Sequence, residues 1–264
     1  MSIHYHEYPP GGGLGDAVRC YWTIRADRSA RESVVANRVL PDNCIDVIFD
    51  FAPATRHPAL LVGPMLSAEV FLHGSDVDLL GVRFRPGAAT EFLDIKASDL
   101  TPRHLEAAMV WRDAASLTER LREAQMADRR AVLDLELGRR RRTTREAGLA
   151  RLATVTIERA RGMMTVSALT RALGVGERRL ERSFETAVGI GPKQVLRVER
   201  FRGAAWLIAR HRDGSLSRIA ATCGYADQAH LTREFAAFAG VTPTAFRTER
   251  HGVGFLQDGS GQPP

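Results

Sequence analysis

The sequence predicts an α+β protein, in which a β-rich N-terminal domain is followed by an all-α domain. Three observations support this prediction: two-residue alternation of apolar side chains in the first half, helical apolar spacing in the second half, and an Arg-rich segment between them. With 264 residues, the chain is long enough for two domains of ordinary size. We predict domains at 1–137 and 149–250, a linker at 138–148 and a disordered tail at 251–264.

The best strand candidate in the first half is Asn43–Phe51. Its apolar and polar residues fall on opposite faces, which is typical of a half-buried strand. The apolar face holds Ile45, Val47, Phe49 and Phe51, and the polar face holds Cys44, Asp46 and Asp50. Asp16–Ala26 and Val77–Arg85 are two further strand candidates, and the spacing becomes helical from Pro102 to Leu137. We therefore expect a sheet followed by one or two helices.

The two halves of the chain carry opposite net charge. Residues 138–264 hold 22 Lys and Arg against 11 Asp and Glu, whereas residues 1–137 hold 15 against 20. This asymmetry predicts that the second domain binds a polyanion and that the first domain has a different role. The segment Gly138–Gly148 lacks helical apolar spacing, which is typical of a solvated linker. The alternative is a linker that also contacts phosphates, and the two interpretations are compatible.

A pattern of spaced residues occurs twice in the second half. Leu180, Arg182, Phe184, Gly189 and Pro192 recur 51 positions later as Leu231, Arg233, Phe235, Gly240 and Pro243. Before each copy, a short helical pattern ends at a glycine, Gly174 or Gly224, and the first of these helices has Thr165 as a candidate N-cap. Two helices joined by a tight turn that contains glycine form a helix-turn-helix. The sequence therefore predicts two helix-turn-helix units.

These residues place the second half beside a known family. The segment from about Thr156 to Arg247 resembles the DNA-binding domain of the AraC/XylS transcriptional regulators, and Arg218–Arg247 follows that family's signature most closely. The resemblance implies two helix-turn-helix units bridged by one long helix, here Pro192–Arg210. Gly176 stands where the family usually has a Ser cap, and glycine is only slightly weaker as a cap. The function implied is sequence-specific DNA-binding transcription regulation.

In such units the N-terminal residues of the second helix face base edges in the major groove. By resemblance to the family, the expected base contacts are Arg178, Arg182, Gln228, Thr232 and Arg233, and Arg179 and His230 lie on the same exposed faces. The expected partner is double-stranded DNA, read in the major groove at two adjacent half-sites. RNA polymerase and a second copy of the chain stay open as further partners.

The first half resembles a small domain often found before AraC-type DNA-binding domains. The resemblance lies in "LPDNCIDVIFDF" and "GVRFRPGAATEFL", and it implies a sensor of a small-molecule effector whose identity the sequence does not give. The candidate ligand-binding residues are Cys44, Asp46, Arg83 and Arg85. Asn43 occupies a turn position where those relatives usually have glycine, and asparagine tolerates the left-handed backbone. A role limited to dimerisation or partner docking is the alternative for this domain.

Each candidate in the first half also has a simpler interpretation. Cys44 is either a reactive thiol or a packed cysteine, and the neighbouring Asp42 and Asp46 favour the second, because carboxylates oppose thiolate formation. Arg83 and Arg85 either bind an anionic ligand or pair with nearby carboxylates. His4 and His6 would bind a metal only with a third ligand such as His57 or His73, and their spacing does not support one. We therefore predict no metal and no cofactor.

Several other function classes lack a sequence signal. The first half contains no GxSxG, HExxH, GxxxxGK[ST] or GxGxxG motif, so we predict no catalytic residues and no enzyme activity. No stretch approaches the roughly 20 apolar residues of a membrane span. The N-terminus lacks the order of a signal peptide, and the three cysteines are scattered. The expected localisation is cytoplasmic, without contact with a membrane.

Overall fold

The computed structural model of the protein describes residues 3–26, 34–53, 55–100, 104–211 and 213–248. The predicted tail at 251–264 and Pro102 lie outside these residues. Within them, the fold class is the predicted one, with strands in the first half and helices in the second. No described helix combines the length and the apolar character needed to cross a membrane.

The strands belong to the first 106 residues. They are β1 (Ile3–Tyr8), β2 (Val18–Ala26), β3 (Val35–Val39), β4 (Ile45–Asp50), β5 (Ala59–Val62), β6 (Glu69–His73), β7 (Asp78–Phe84) and β8 (His104–Glu106). The three predicted strands are confirmed as β2, β4 and β7. The strands β3, β5, β6 and β8 have only three to five residues, and β1 contains a single aliphatic residue, so the apolar pattern did not reveal them.

Six strands form one antiparallel sheet in the order β1-β2-β7-β4-β5-β8. One face of this sheet carries the core, which includes the fully buried Val47, Phe49 and Val82. The predicted alternation in β4 is confirmed, because Ile45, Val47 and Phe49 are buried in that core. The opposite face of β4 carries Asp46 and Ile48, which do not belong to it.

The remaining two strands, β3 and β6, form an antiparallel two-stranded sheet that we call the ribbon. Its two faces differ. Asn37 and His73 are buried, whereas Val70 and Leu72 on the other face are 51% and 71% exposed. The ribbon therefore covers part of the molecule with one face and presents the other to solvent.

Two helices close the N-terminal domain, α1 (Ala114–Glu123) and α2 (Met126–Arg140). Leu117 and Leu121 are buried on α1 as predicted, but the helical pattern does not extend back over 104–109. That segment forms β8 and a 3₁₀ turn, because its backbone pairs with β5 at the edge of the sheet. Tertiary pairing overrides the local periodicity there.

Every described element after residue 144 is a helix. They are α3 (Arg145–Arg159), α4 (Val166–Leu173), α5 (Glu177–Ala187), α6 (Pro192–Arg210), α7 (Leu216–Thr222), α8 (Gln228–Ala239) and α9 (Pro243–Thr248). The long helix α6 has the predicted bounds, and its 19 residues span roughly 28 Å. Its first half packs into a core with α3, α4 and α5, and its second half packs into a core with α7, α8 and α9. One helix therefore supports both helix pairs.

The two helix pairs repeat in backbone conformation as well as in sequence. Gly174 ends α4 in the left-handed region with a φ of 63°, and its counterpart Gly224 has a φ of 71°. Phe184 and Phe235 are both fully buried at equivalent positions. Thr165 caps α4 as predicted, since its side chain accepts a hydrogen bond from the amide of Ala168. The repeat therefore encodes two copies of one packing unit.

The segment predicted as a solvated linker differs from that expectation. Helix α2 continues to Arg140, and α3 already begins at Arg145. Arg141 is not simply solvated: its guanidinium contacts Asp16 at 2.5 Å and the buried Glu91 at 2.9 Å. The prediction of a solvated linker is therefore wrong at Arg141, because the exposed Asp16 and the buried Glu91 of the N-terminal domain pair with it.

Candidate nucleic-acid interface and ligand pocket

Helix α5 presents a basic outer face. Its buried residues are Leu180, Ser183, Phe184 and Ala187, which lie on the side that packs against α3 and α6. The predicted contact residues Arg178, Arg179 and Arg182 are all exposed. Gly176 caps the helix without a side-chain hydrogen bond. The three arginines therefore lie free to reach outward from the second helix of the first unit.

Helix α8 occupies the equivalent position in the second unit. Gln228 and Arg233 are exposed, whereas His230 and Thr232 are half-buried. The Thr232 hydroxyl donates to the carbonyl of Gln228 at 2.8 Å, and the His230 ring packs edge-on against Tyr225. Of the four predicted contacts on α8, Gln228 and Arg233 are the most available, and the other two have partners within the unit.

Sequence reasoning missed one arginine near α5. Arg145, the first residue of α3, lines a small cleft of about 150 Å³ together with Arg179 and Arg182. The Ser183 hydroxyl donates to the carbonyl of Glu146 at 2.8 Å and fixes α3 against α5. Three guanidinium groups at one cleft form a strongly basic site beside the predicted recognition helix. The proximity of Arg145 follows from the packing of α3 and leaves no signal in the local sequence.

The first domain contains a pocket of about 470 Å³ between the ribbon and the outer face of the six-stranded sheet. The sheet contributes an apolar surface that includes Trp22, Ile48 and Leu79, and the ribbon contributes Val39 and Phe71. A volume of this size is typical of pockets for small organic molecules. The pocket lies on the face of the sheet opposite to the core, so the fold leaves this space without filling it.

Glycine at position 81 makes room for the indole of Trp22 in this pocket. Gly81 is paired with Trp22 across β2 and β7. A Cβ atom on Gly81 would lie 1.9 Å from Cε2 of Trp22, which no real contact allows. Trp22 therefore lies flat over β7, and its Nε1 donates to Asp46 at 3.0 Å.

Asp46 and Arg83 form the polar part of the pocket wall. They are direct partners in the register of β4 and β7, and the Arg83 Nε lies 3.2 Å from the carboxylate of Asp46. Asp42 contacts the same Nε at 3.4 Å, so one guanidinium pairs with two carboxylates. Burial opposes ionisation of Asp42, but Arg83, Arg202 and Arg19 outweigh it and lower its pKa.

Two nitrogen atoms of the pocket wall have no hydrogen-bond partner in the structure. They are Nη1 of Arg83 and Nε2 of His73, both on side chains that are at least nine-tenths buried. Burial lowers the pKa of His73, so its ring is neutral at pH 7. Buried polar atoms without partners are rare and carry a desolvation cost. Almost none of the surface of either atom is accessible, so both lie beneath the surface of the pocket.

The structure divides the four predicted ligand-binding residues into two pairs. Asp46 and Arg83 line the pocket, whereas Cys44 and Arg85 do not. Cys44 is buried, and burial raises the pKa of its thiol, which favours a packed cysteine over a reactive one. Arg85 follows the end of β7, and its Nε donates to the carbonyl of Gly15 at 2.9 Å. Arg85 thus lies beside α3, at the contact between the two domains.

The histidines are dispersed. His57 pairs with Glu106 and His104 with Glu69, each at the pocket rim. The His4 and His6 rings stack on each other at 6.5 Å. Among the residues that the structure describes, no group of three or more His, Cys, Asp or Glu is arranged to hold a metal ion.

The walls of the pocket also touch the helical domain. At one end of the ribbon, the Arg38 Nη1 donates to the carbonyl of Ala239 at 3.0 Å, and the amide of Ala68 donates to the carbonyl of Phe238 at 2.6 Å. Both acceptors lie at the C-terminal end of α8. The structure therefore connects the pocket cover directly to the second helix of the second unit.

A second connection starts at the polar wall. The turn that holds Asp42 continues through Asn43, whose φ of 62° is left-handed, as the sequence predicted for this asparagine. The Asn43 Nδ2 donates to Glu199 on α6 at 2.9 Å. Glu199 is 2% exposed and also accepts from Arg202 at 3.2 Å. This turn therefore joins the group formed by Arg83, Asp42 and Asp46 to α6, the helix that supports both units.

Comparison with known families assigns both parts of the chain separately. Residues 169–249 match a helix-turn-helix domain family of the AraC type, and residues 6–106 match a family described as a domain of unknown function (DUF6597). No curated protein sequence matches the chain.

Solved structures that are similar to parts or most of the chain include ToxT from Vibrio cholerae, which is 12% identical with a TM-score of 0.41 over 94% of this chain and 98% of that one. The C-terminal domain of AraT, a response regulator from Geobacillus stearothermophilus, is 24% identical with a TM-score of 0.37 over 39% of this chain and 87% of that one. The xylose-binding transcription activator XylR is 19% identical with a TM-score of 0.35, over 55% of this chain and 39% of that one. The family matches, and not these distant similarities, carry the assignment.

Proposed function

We propose that this chain is a sequence-specific transcription regulator controlled by a small molecule. The proposal starts from the AraC-type helix-turn-helix domain, which follows a domain of unknown function. The helix-turn-helix match supports a DNA-binding transcription regulator. The proposal is carried by two connections. The ribbon contacts the end of α8 through Arg38, and the turn beside Asp46 and Arg83 contacts α6 through Asn43. A regulator needs such a connection between its ligand site and its DNA-binding surface.

We assign base contacts to Arg178, Arg182, Gln228 and Arg233, whose exposure on α5 and α8 supports this role. Arginine pairs with guanine and glutamine with adenine in the major groove. The cleft of Arg145 and Arg179 suits phosphate contact beside the first recognition helix. His230 and Thr232 have a supporting role in this proposal, because their partners lie within the second unit.

Control by a ligand requires that the ligand bind one conformation of the chain better than another. The ribbon supplies such a conformation, since its inner face lines the pocket and Arg38 contacts the end of α8. A molecule that displaces the ribbon alters the hydrogen bonds to Phe238 and Ala239 and hence the position of α8. We propose that the ribbon transmits occupancy of the pocket to the second recognition helix.

The test measures DNA affinity of the full chain with and without ligand. DNA sites are first selected from a random pool, and binding to them should fall steeply with salt, because neutralised phosphates release counterions. Ligands are then found by thermal shift on the full chain. A hit should change the affinity for the selected site, and Arg38→Ala should reduce that change without preventing ligand binding. Ligands that stabilise the chain yet leave DNA affinity unchanged would contradict the proposal.

One observation favours a second role for the N-terminal domain. The outer face of the ribbon exposes Val70 and Leu72, and Val34 beside it is 66% exposed. Exposed apolar patches mark interaction surfaces. Dimerisation through this face is the alternative candidate function, and Leu72→Glu would abolish a dimer detected by sedimentation if this face forms it.

A further inference from the structure

We infer that the pocket between the ribbon and the sheet takes an uncharged, mainly apolar molecule. This inference rests on the proposed ligand-sensing function and adds the chemical class of the ligand. It is carried by the pocket walls and by the charge balance around Arg83.

The walls require an apolar body. Trp22, Ile48 and Leu79 form the sheet side, and Phe71 lies opposite on the ribbon. The ring of Tyr5 stacks on Trp22 with centroids 6.3 Å apart and extends this surface. Burial of apolar area of a ligand against such a surface contributes roughly 25 cal/mol per Å². A small polar metabolite would leave most of this surface without a contact.

The charge balance disfavours an anion. Arg83 is the only arginine or lysine that lines the pocket among the described residues, and Asp42 and Asp46 both contact it. Burial raises the pKa of Asp46, with Arg83 opposing it. Whether Asp46 is ionised or neutral, the three groups together carry no net positive charge. Asp50 and Asp76 line the same pocket and add negative charge.

The same contacts disfavour a cation. The Asp46 carboxylate already accepts hydrogen bonds from Trp22 Nε1 and from Arg83. The guanidinium carbon of Arg83 lies 6.0 Å from the centroid of the Trp22 ring. A ligand cation at this wall would therefore lie close to a guanidinium and would compete with it for one carboxylate.

The test uses three fluorescent probes of similar size on the full chain. Prodan is an uncharged naphthalene ketone, 2,6-anilinonaphthalene sulfonate is an anion, and thioflavin T is a cation. We expect Prodan to bind saturably at one site per chain and at least tenfold more tightly than either charged probe. A chain that binds no Prodan, or that binds a charged probe as tightly, overturns the inference.

Variants test the charge argument. Asp46→Asn removes one carboxylate and should improve binding of the sulfonate relative to Prodan. Asp50→Asn should act in the same direction and serves as the second variant if Asp46→Asn fails to fold by circular dichroism. Unchanged selectivity in a folded variant of either aspartate would overturn the charge argument.

This experiment separates the ligand class from the proposed function. Prodan binding with the expected selectivity supports the ligand class whatever its effect on DNA. If Prodan binds in this way and never alters DNA affinity, the proposal of ligand control fails and the pocket inference stands. If other ligands alter DNA affinity while the pocket prefers the sulfonate, the proposal of ligand control stands and the pocket inference fails.

Discussion

The side-chain amide of Asn43 donates a hydrogen bond to Glu199 across the contact between the two domains, at 2.9 Å. Both residues are buried, with 1% and 2% exposure. Asn43 therefore has two structural roles: its backbone adopts the left-handed conformation of the turn, and its side chain bonds the turn to α6. Glycine can perform only the first role.

Asn43→Gly should keep the turn but loosen the contact between the domains. Loss of a hydrogen bond to a charged group costs about 1.5–3 kcal/mol, and the remaining contact of Glu199 with Arg202 offsets part of this. Urea unfolding of the full chain measures the loss. Asn43→Ala is the matched comparison, and it should be less stable than Asn43→Gly because φ is positive there. Wild-type stability in Asn43→Gly would show that the hydrogen bond contributes nothing.

Arg182→Ala and Arg233→Ala should each weaken binding to the selected DNA by about 1–3 kcal/mol and relax preference at one base position. Both arginines are exposed at equivalent positions of α5 and α8. Arg171→Ala on α4 is the control, because the first helix of such a unit crosses the DNA backbone. Arg171→Ala should weaken binding to all DNA sequences alike and make the affinity less dependent on salt concentration. A uniform loss in Arg182→Ala would remove α5 from base reading.

Gly81→Ala should destabilise the chain and displace Trp22. The added methyl group would lie 1.9 Å from the indole, and accommodating such a group costs roughly 1–3 kcal/mol or more. Gly138→Ala is the control, because that glycine lies in helix α2 with nothing within 4 Å of an added Cβ. It should be neutral or stabilising by up to about 1 kcal/mol. Thermal melts and Prodan binding measure both variants, and equal behaviour would contradict the proposed packing.

Asp16→Asn should make the contact between the domains less dependent on pH. A hydrogen bond from Arg141 and the charges of Arg141 and Arg151 lower the pKa of Asp16, against a smaller opposing effect of burial. Because the folded pKa is lowered, the stabilisation is present above the ordinary value of about 4 and is lost as the pH falls through the folded value.

The difference in Tm between wild type and Asp16→Asn should therefore be largest near pH 7 and shrink toward pH 3. The control is Asp94→Asn, since Asp94 is exposed. Its difference from wild type should stay small at both pH values. A gap for Asp16→Asn that does not shrink at all between pH 7 and pH 3 would contradict an ionic contact.

The helical domain could be predicted closely and the pocket only in part, for a physical reason. The resemblance to the AraC/XylS DNA-binding domain placed α6, whose predicted bounds Pro192–Arg210 match the structure. The pairing of Asp46 with Arg83 depends on β4 lying beside β7, which a single sequence does not encode locally. Arg85 was grouped with Arg83 because a strand continues in the pattern, whereas β7 ends at Phe84. The ribbon was missed because its two strands of five residues are far apart in the chain.

The strands of the six-stranded sheet contribute side chains to two separate parts of the domain, the core and the pocket wall. In β4, the side chains at 45, 47 and 49 belong to the core, and those at 46 and 48 belong to the pocket wall. Substitutions at one set need not disturb the other, because neighbouring side chains of a strand point to opposite faces. The chemistry of the pocket lining can therefore be changed at every second residue of a strand while the alternate residues preserve the scaffold. The sheet thus keeps the lining of the pocket independent of the packing that holds the domain folded.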